Sequence, residues 1–251
     1  KHIIGIVHHT RKLEKSSTFK NILSLRMRKF MVLGDYLLKE LKPLTKYKVA
    51  SLDAVYFPPV KELKVIKPAH EFWVVIPGMV HSDRRDYLPL IEKLSKSLLR
   101  EELKIIFLGY LPRDEKEIGQ AIKTWKEAPS HVITFDEYLD YDVFHSYMSQ
   151  ADLVLPLIKM EDDRFYNDSR TSGSLNLGLG YQKAFLLPST YNNNTIAPFS
   201  TYYSSHEELV NKLISYTEDR SELDSLKQHY NQKEFSNYEK QADDLMRFIR
   251  S

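Results

Sequence analysis

From residue 72 onward, short unbroken apolar runs alternate with longer amphipathic ones. The short runs are FWVVI at 72–76, KIIFL at 104–108, HVITF at 131–135, ADLVLPL at 151–157 and AFLL at 184–187. Helical spacing fills the intervals at 87–99, 115–125, 142–149 and 174–181, and continues at 205–219 and 221–234. A strand that is apolar on both faces must be covered on both faces. Such strands joined by helices make a parallel sheet with helices on each side. Ligands of such sheets sit at the carboxyl ends of the strands. Here those ends are 77–85, 109–110, 135–138 and 156–174.

Upstream, the pattern is that of a second α/β unit. IIGIV at 3–7 reads as a strand ending at His8 and His9, and FMVL at 30–33 as another. Gly34 and Asp35 then open a helix over 36–41, a weaker strand follows at 49–55, and Pro58-Pro59 punctuate. The expected division is 1–58 for the back of one α/β domain, 59–235 for a Rossmann-like domain, and 236–251 for a helix returning to the first. The chain opens inside a strand, so an N-terminally incomplete first domain is expected.

Composition narrows the chemistry. The absence of cysteine excludes disulfides, thiolate metal sites and a cysteine nucleophile. Lys+Arg number 36 against 34 Asp+Glu, a net charge of +2 that gives no argument for nucleic acid. Only 8 glycines occur, and neither a G-x-G-x-x-G nor a Walker loop is among the patterns. No apolar run reaches membrane length. The basic amphipathic segment 240–250 either packs on a sheet or meets a membrane surface.

Two strand ends look like anion cradles. After 72–76 come Gly78, Arg84 and Arg85 and then a helix. Glycine lets backbone approach a ligand, guanidinium forks match phosphate oxygens, and a helix N-terminus offers free N–H groups. After 151–157 come Arg170, Thr171, Ser172, Gly173 and Ser174, again before a helix; a plain N-cap would explain one of these hydroxyls. Two cradles on one sheet favour a diphosphate. Gly109 closes a third strand. Phe135 and Tyr138 could flank a base ring, although Phe135 reads more readily as core. His8 or His9 could act as base or bind phosphate. The acidic run at 161–163 reads as an exposed loop.

The order of these residues resembles the second half of a GT-B glycosyltransferase of the retaining, bacterial polysaccharide type (group 1). The likeness is carried by strand–Pro77-Gly78–loop–Arg84-Arg85, by Ala151-Asp152-Leu-Val-Leu-Pro156, by Ser172-Gly173 before a helix, and by Gln182-Lys183-Ala184. IIGIVHHT resembles the acceptor-domain strand that ends in a histidine facing the cleft. The resemblance implies a GT-B-like α/β fold whose Rossmann-like C-terminal domain binds a nucleotide sugar. It implies transfer to a glycan or lipid-linked acceptor, no metal, and a cytoplasmic protein with peripheral membrane association. Binding would fall to Gly78, Arg84, Arg85, Gly109, Phe135, Tyr138, Arg170, Thr171, Ser172, Gly173, Ser174 and Asn176, and chemistry to His8 or His9. The sequence departs from the family where two glutamates, eight positions apart, normally touch the sugar and the ribose. Ser169 and Asn176-Leu177 stand there, and Asn176 offers an amide to the ribose. A nucleotide-binding protein without turnover and a sugar-nucleotide epimerase are the alternatives.

Overall fold

The computed structural model describes residues 3–7, 10, 16–18, 21, 27, 29–34, 37–38, 47–57, 60–160, 172–191, 195–232 and 238–251. Two parallel sheets organise them. The smaller holds β1 (Ile4–Val7), β2 (Lys29–Val32) and β3 (Lys48–Ser51) in chain order. The larger holds β4 (Phe72–Pro77), β5 (Leu103–Tyr110), β6 (Val132–Phe135), β7 (Leu153–Val154), β8 (Ala184–Pro188) and β9 (Ser200–Tyr203). Its spatial order is β6-β5-β4-β7-β8-β9, all parallel. The strand order therefore reverses between β4 and β7, and a crevice opens at their carboxyl ends.

Alternation along β4 feeds two cores. Phe72, Val74 and Ile76 face α1 (Tyr87–Ser95), α2 (Lys116–Thr124) and α6 (His206–Glu218), whose contributions include Leu90, Ile91, Leu94, Ile118, Leu209 and Leu213. Trp73 and Val75 face α4 (Tyr141–Gln150) and α5 (Gly173–Gly180) through Tyr147, Met148, Leu175 and Leu179. All six residues of β4 are buried. The single turn α3 (Ala128–His131) leads into β6, and α7 (Ser221–Gln228) follows α6. The small sheet has its own core of Val7, Phe30, Val32 and Leu37. The final helix α8 (Tyr238–Arg250) meets this sheet: Lys29 Nζ donates to the Phe248 and Ile249 carbonyls at 3.1 and 2.7 Å. The carbonyls at a helix C-terminus lack intrahelical partners and favour a cation.

Three sequence expectations change. The strand expected over 151–157 is only two residues long. Asp152 turns its carboxylate to the Trp73 N–H at 2.7 Å, and Leu157 takes φ 51, leaving the extended region. The helix expected over 221–234 ends at Gln228, followed by a 3-10 turn at His229–Gln232. β9 was not expected: its sequence STYY lacks an aliphatic run, yet it pairs with β8 over four residues. The helix expected over 36–41 lies mostly outside the described residues.

The amino ends of the strands meet at Asp152. Lys67 Nζ lies 2.5 Å from one of its oxygens and Arg220 3.5 Å from the other. Lys183 stands nearby, its Nζ donating to the Ser149 carbonyl at 2.7 Å. Burial, reinforced by Lys227, lowers the Lys183 ammonium from 10.5 to about 8. Below pH 8 the amine is charged in both states and the fold carries the full cost of burying it. Between 8 and 10.5 the unfolded chain holds the proton that the fold has released, so stability climbs with pH. Lys183→Met should therefore stabilise the protein at neutral pH by about 1–3 kcal/mol and flatten that climb. Urea denaturation across the range measures both.

The end of α5 holds a second strained point. Gln182 has φ 53, where its helix closes with Lys183 N–H donating to the Gly178 carbonyl at 2.8 Å. This is the position that glycine fills best. Gln182→Gly should raise stability by about 1 kcal/mol in the same assay.

Candidate functional site

A cleft of about 380 Å³ opens where the strand order reverses. Its walls come from the end of β4 (Pro77, Gly78, Met79), the following loop (Arg84, Arg85), α4 (Phe144), the exit from β7 (Pro156, Ile158) and α5 (Ser172, Gly173, Ser174, Leu177).

Glycines permit the backbone path here. Gly78 has φ +107, and a Cβ on it would stand 3.0 Å from an Arg85 nitrogen. A Cβ on Gly109 would collide with the Gly78 carbonyl. Gly109 is thus the floor beneath Gly78 and does not line the cleft. Gly173 differs: a Cβ on it would meet nothing within 4 Å.

The two arginines diverge. Arg85 is turned inward. Its Nη2 donates to the Pro77 carbonyl and, at 2.9 Å, to Ser174 Oγ, while Nη1 donates to Tyr87 Oη at 3.1 Å. Ser174 Oγ donates in turn to the Pro77 carbonyl at 3.0 Å. These bonds lock β4, the arginine loop and α5 together. The Tyr87 hydroxyl is pushed up by burial, an effect that the neighbouring Arg85 partly offsets. Arg84 is exposed at the cleft, and among the described residues no side-chain partner engages it. The loop itself is tied down by Glu115, whose Oε1 accepts from the Ser82 N–H at 3.1 Å and lies 3.3 Å from His81 Nδ1.

The amino end of α5 faces the same space. Ser172 occupies its N-cap position, with extended backbone and no side-chain cap bond. The cap explanation for its hydroxyl therefore fails, and the first-turn N–H groups of Gly173 and Ser174 are not satisfied by it. A cation with no side-chain partner among the described residues, two first-turn amides and a helix dipole border the same cleft.

The other expected residues scatter. Tyr138 is exposed; its ring lies 5.0 Å from that of Tyr110, and its hydroxyl lies 4.0 Å from the Met79 sulfur. Phe135 is half-buried and packs edge-on against Tyr147 at 5.5 Å, on the margin of the core. Asn176 sits on α5 but is not among the cleft-lining residues. His8, His9, Arg170 and Thr171 lie outside the described residues, as does the acidic run at 161–163. Met79, Pro156 and Ile158 fall within the strand ends expected to face a ligand but were not singled out, and Phe144 and Leu177 were not expected to line the cleft. Phe144 and Leu177 have helical spacing indistinguishable from core, so no local signal marks them.

No protein-family model and no curated protein matches the chain. Solved structures do. Anabaena Alr3699/HepE, crystallised with UDP, superposes with a TM-score of 0.59 at 12% identity, over 92% of this chain and 66% of that one. A glycosyltransferase from Rickettsia africae gives 0.62 at 16% identity, over 98% and 70%. A UDP-forming α,α-trehalose-phosphate synthase from Burkholderia vietnamiensis gives 0.61 at 9%, over 100% and 69%. The fold is GT-B-like. The chain spans about two thirds of the length of these neighbours. Among the described residues, no helix is long and apolar enough to cross a membrane.

The glycines separate folding from binding. Gly109→Ala should destabilise by about 1–3 kcal/mol, because a packed backbone contact must shift. Gly173→Ala should leave thermal stability unchanged or slightly raised, since alanine suits a helix better. If an anion occupies the cradle, the same alanine reduces its affinity. Thermal melts with and without pyrophosphate distinguish these effects.

Proposed function

We propose that this protein is a glycosyltransferase that binds a nucleoside-diphosphate sugar in the switch-point cleft. The observation that carries the reading is that Arg84, which has no side-chain partner among the described residues, and the uncapped amino end of α5 line one cleft. Arg84 and the Gly173 and Ser174 amides hold the diphosphate and neutralise the charge that grows on it as the sugar departs. Arg85, already satisfied by protein groups, braces the cradle. Tyr138, exposed beside Tyr110 with its hydroxyl 4.0 Å from the sulfur of cleft-lining Met79, is the ring on which the base stacks in this reading. The likeness to Alr3699/HepE solved with UDP supports a nucleotide-sugar donor.

The finer reading follows the resemblance in sequence. Residues 1–58 are the back of the acceptor-side domain, 59–235 the donor domain and 236–251 the returning helix. His8 or His9 faces the reacting centre, and Arg170 and Thr171 extend the cradle. The acceptor is a glycan or lipid-linked sugar in bacterial polysaccharide synthesis. The work is cytoplasmic, with the amphipathic α8 available to a membrane surface. Charge neutralisation by Arg84 and the helix terminus makes a metal unnecessary.

Calorimetry with UDP, GDP, ADP and dTDP tests the core claim. One nucleotide should bind, and Arg84→Ala should weaken it about ten- to hundredfold, the value of a charge-assisted bond. Arg85→Ala should instead lower thermal stability through loss of the bracket. No binding by any nucleotide at millimolar concentration would overturn the reading.

A further inference from the structure

The turn that carries Arg84 follows β4, and its N–H groups are all engaged. Ser82 N–H donates to Glu115 Oε1 at 3.1 Å, Asp83 N–H to His81 Nδ1 at 3.2 Å, and Arg84 N–H to the His81 carbonyl at 3.2 Å. The bonds to His81 are local to the turn. The bond to Glu115 comes from 33 positions away in the chain.

Glutamate is not the residue that local preference selects at 115. It stands at the N-cap position of α2, where the shorter Ser, Thr, Asp and Asn accept from first-turn N–H groups. Glu115 makes no such cap bond. Its carboxylate is instead 11% exposed and reaches back to the turn after β4. Taking a carboxylate from water is unfavourable unless it is hydrogen-bonded. The bond to Ser82 supplies the reason for a glutamate that the helix does not.

Arg84 is exposed at the cleft with no side-chain partner among the described residues, so the turn's backbone sets where its guanidinium can reach. We propose that Glu115 is a positioning residue for ligand binding: by holding Ser82 it fixes the turn from which Arg84 meets the diphosphate. This rests on the nucleotide reading above. Charge alone argues for the opposite effect. A carboxylate bonded to the arginine loop repels an anion held by that loop, so losing only the charge tightens binding. Positioning and repulsion therefore differ in sign.

UDP, GDP, ADP and dTDP are titrated into the full chain by calorimetry, and the tightest binder is carried to the variants. Glu115→Asp keeps the charge, suits the cap of α2 and is one carbon too short for Ser82. It should weaken binding about three- to tenfold, the value of one hydrogen bond, while thermal melts confirm that the fold is kept. Glu115→Gln keeps an oxygen acceptor and drops the charge, and should bind as tightly as wild type or more so. In an Arg84→Ala background, Glu115→Asp should change affinity less than about twofold, a non-additivity that a merely structural residue does not produce. Wild-type affinity in Glu115→Asp overturns the proposal. So does an equal loss with and without Arg84, or a loss in Glu115→Gln as large as in Glu115→Asp. All three outcomes leave nucleotide binding standing. If none of the four nucleotides binds at millimolar concentration, the nucleotide reading falls and this proposal with it.

Discussion

The Pro77 carbonyl is the point on which the cleft is assembled. It accepts from Arg85 Nη2 and from Ser174 Oγ, and those two groups bond each other at 2.9 Å. One oxygen thus joins the end of a central strand, the loop after it and the first turn of a helix nearly a hundred residues later. A partly buried guanidinium bonded to carbonyl, hydroxyl and phenol is costly to displace, because each partner would lose its bond. The free N–H groups of α5 are aimed by this bracket. With Arg85 so occupied, only Arg84 of the pair stays available to a ligand.

The strain at the site has the same logic. Leu157 is fully buried at φ 51, a conformation that a bulky residue seldom adopts. It follows directly on Pro156 and redirects the chain so that Ile158 bridges to Arg85 in antiparallel sense. Packing on one side and the bridge on the other hold it there. Such strain persists where the surroundings over-determine a conformation. The cost is offset by closure of the cleft wall between the two loops.

Much of the architecture was legible as pattern. The runs at 72–76 and 104–108 are too continuously apolar for an edge strand, and both lie inside the sheet, β4 at its middle and β5 between β4 and the edge strand β6. The hydroxyl-rich 172–174 segment before an apolar helix marked one cradle, and Arg84-Arg85 marked the other. β9 was illegible because its apolarity resides in tyrosines with polar neighbours, and pairing with β8 made it a strand. Leu177 and Phe144 were illegible as cleft residues because a helix face does not announce whether it meets core or cavity.

Local chemistry therefore determined the sequence of strands and helices, the α/β class and the types of residue at the strand ends. Those follow from side-chain periodicity and turn preferences, which act over a few residues. Tertiary structure alone decided that the order reverses between β4 and β7, that Arg85 turns inward while Arg84 turns out, and that Gly109 lies beneath Gly78. Each of these depends on contacts between segments distant in the chain, and no local preference encodes them.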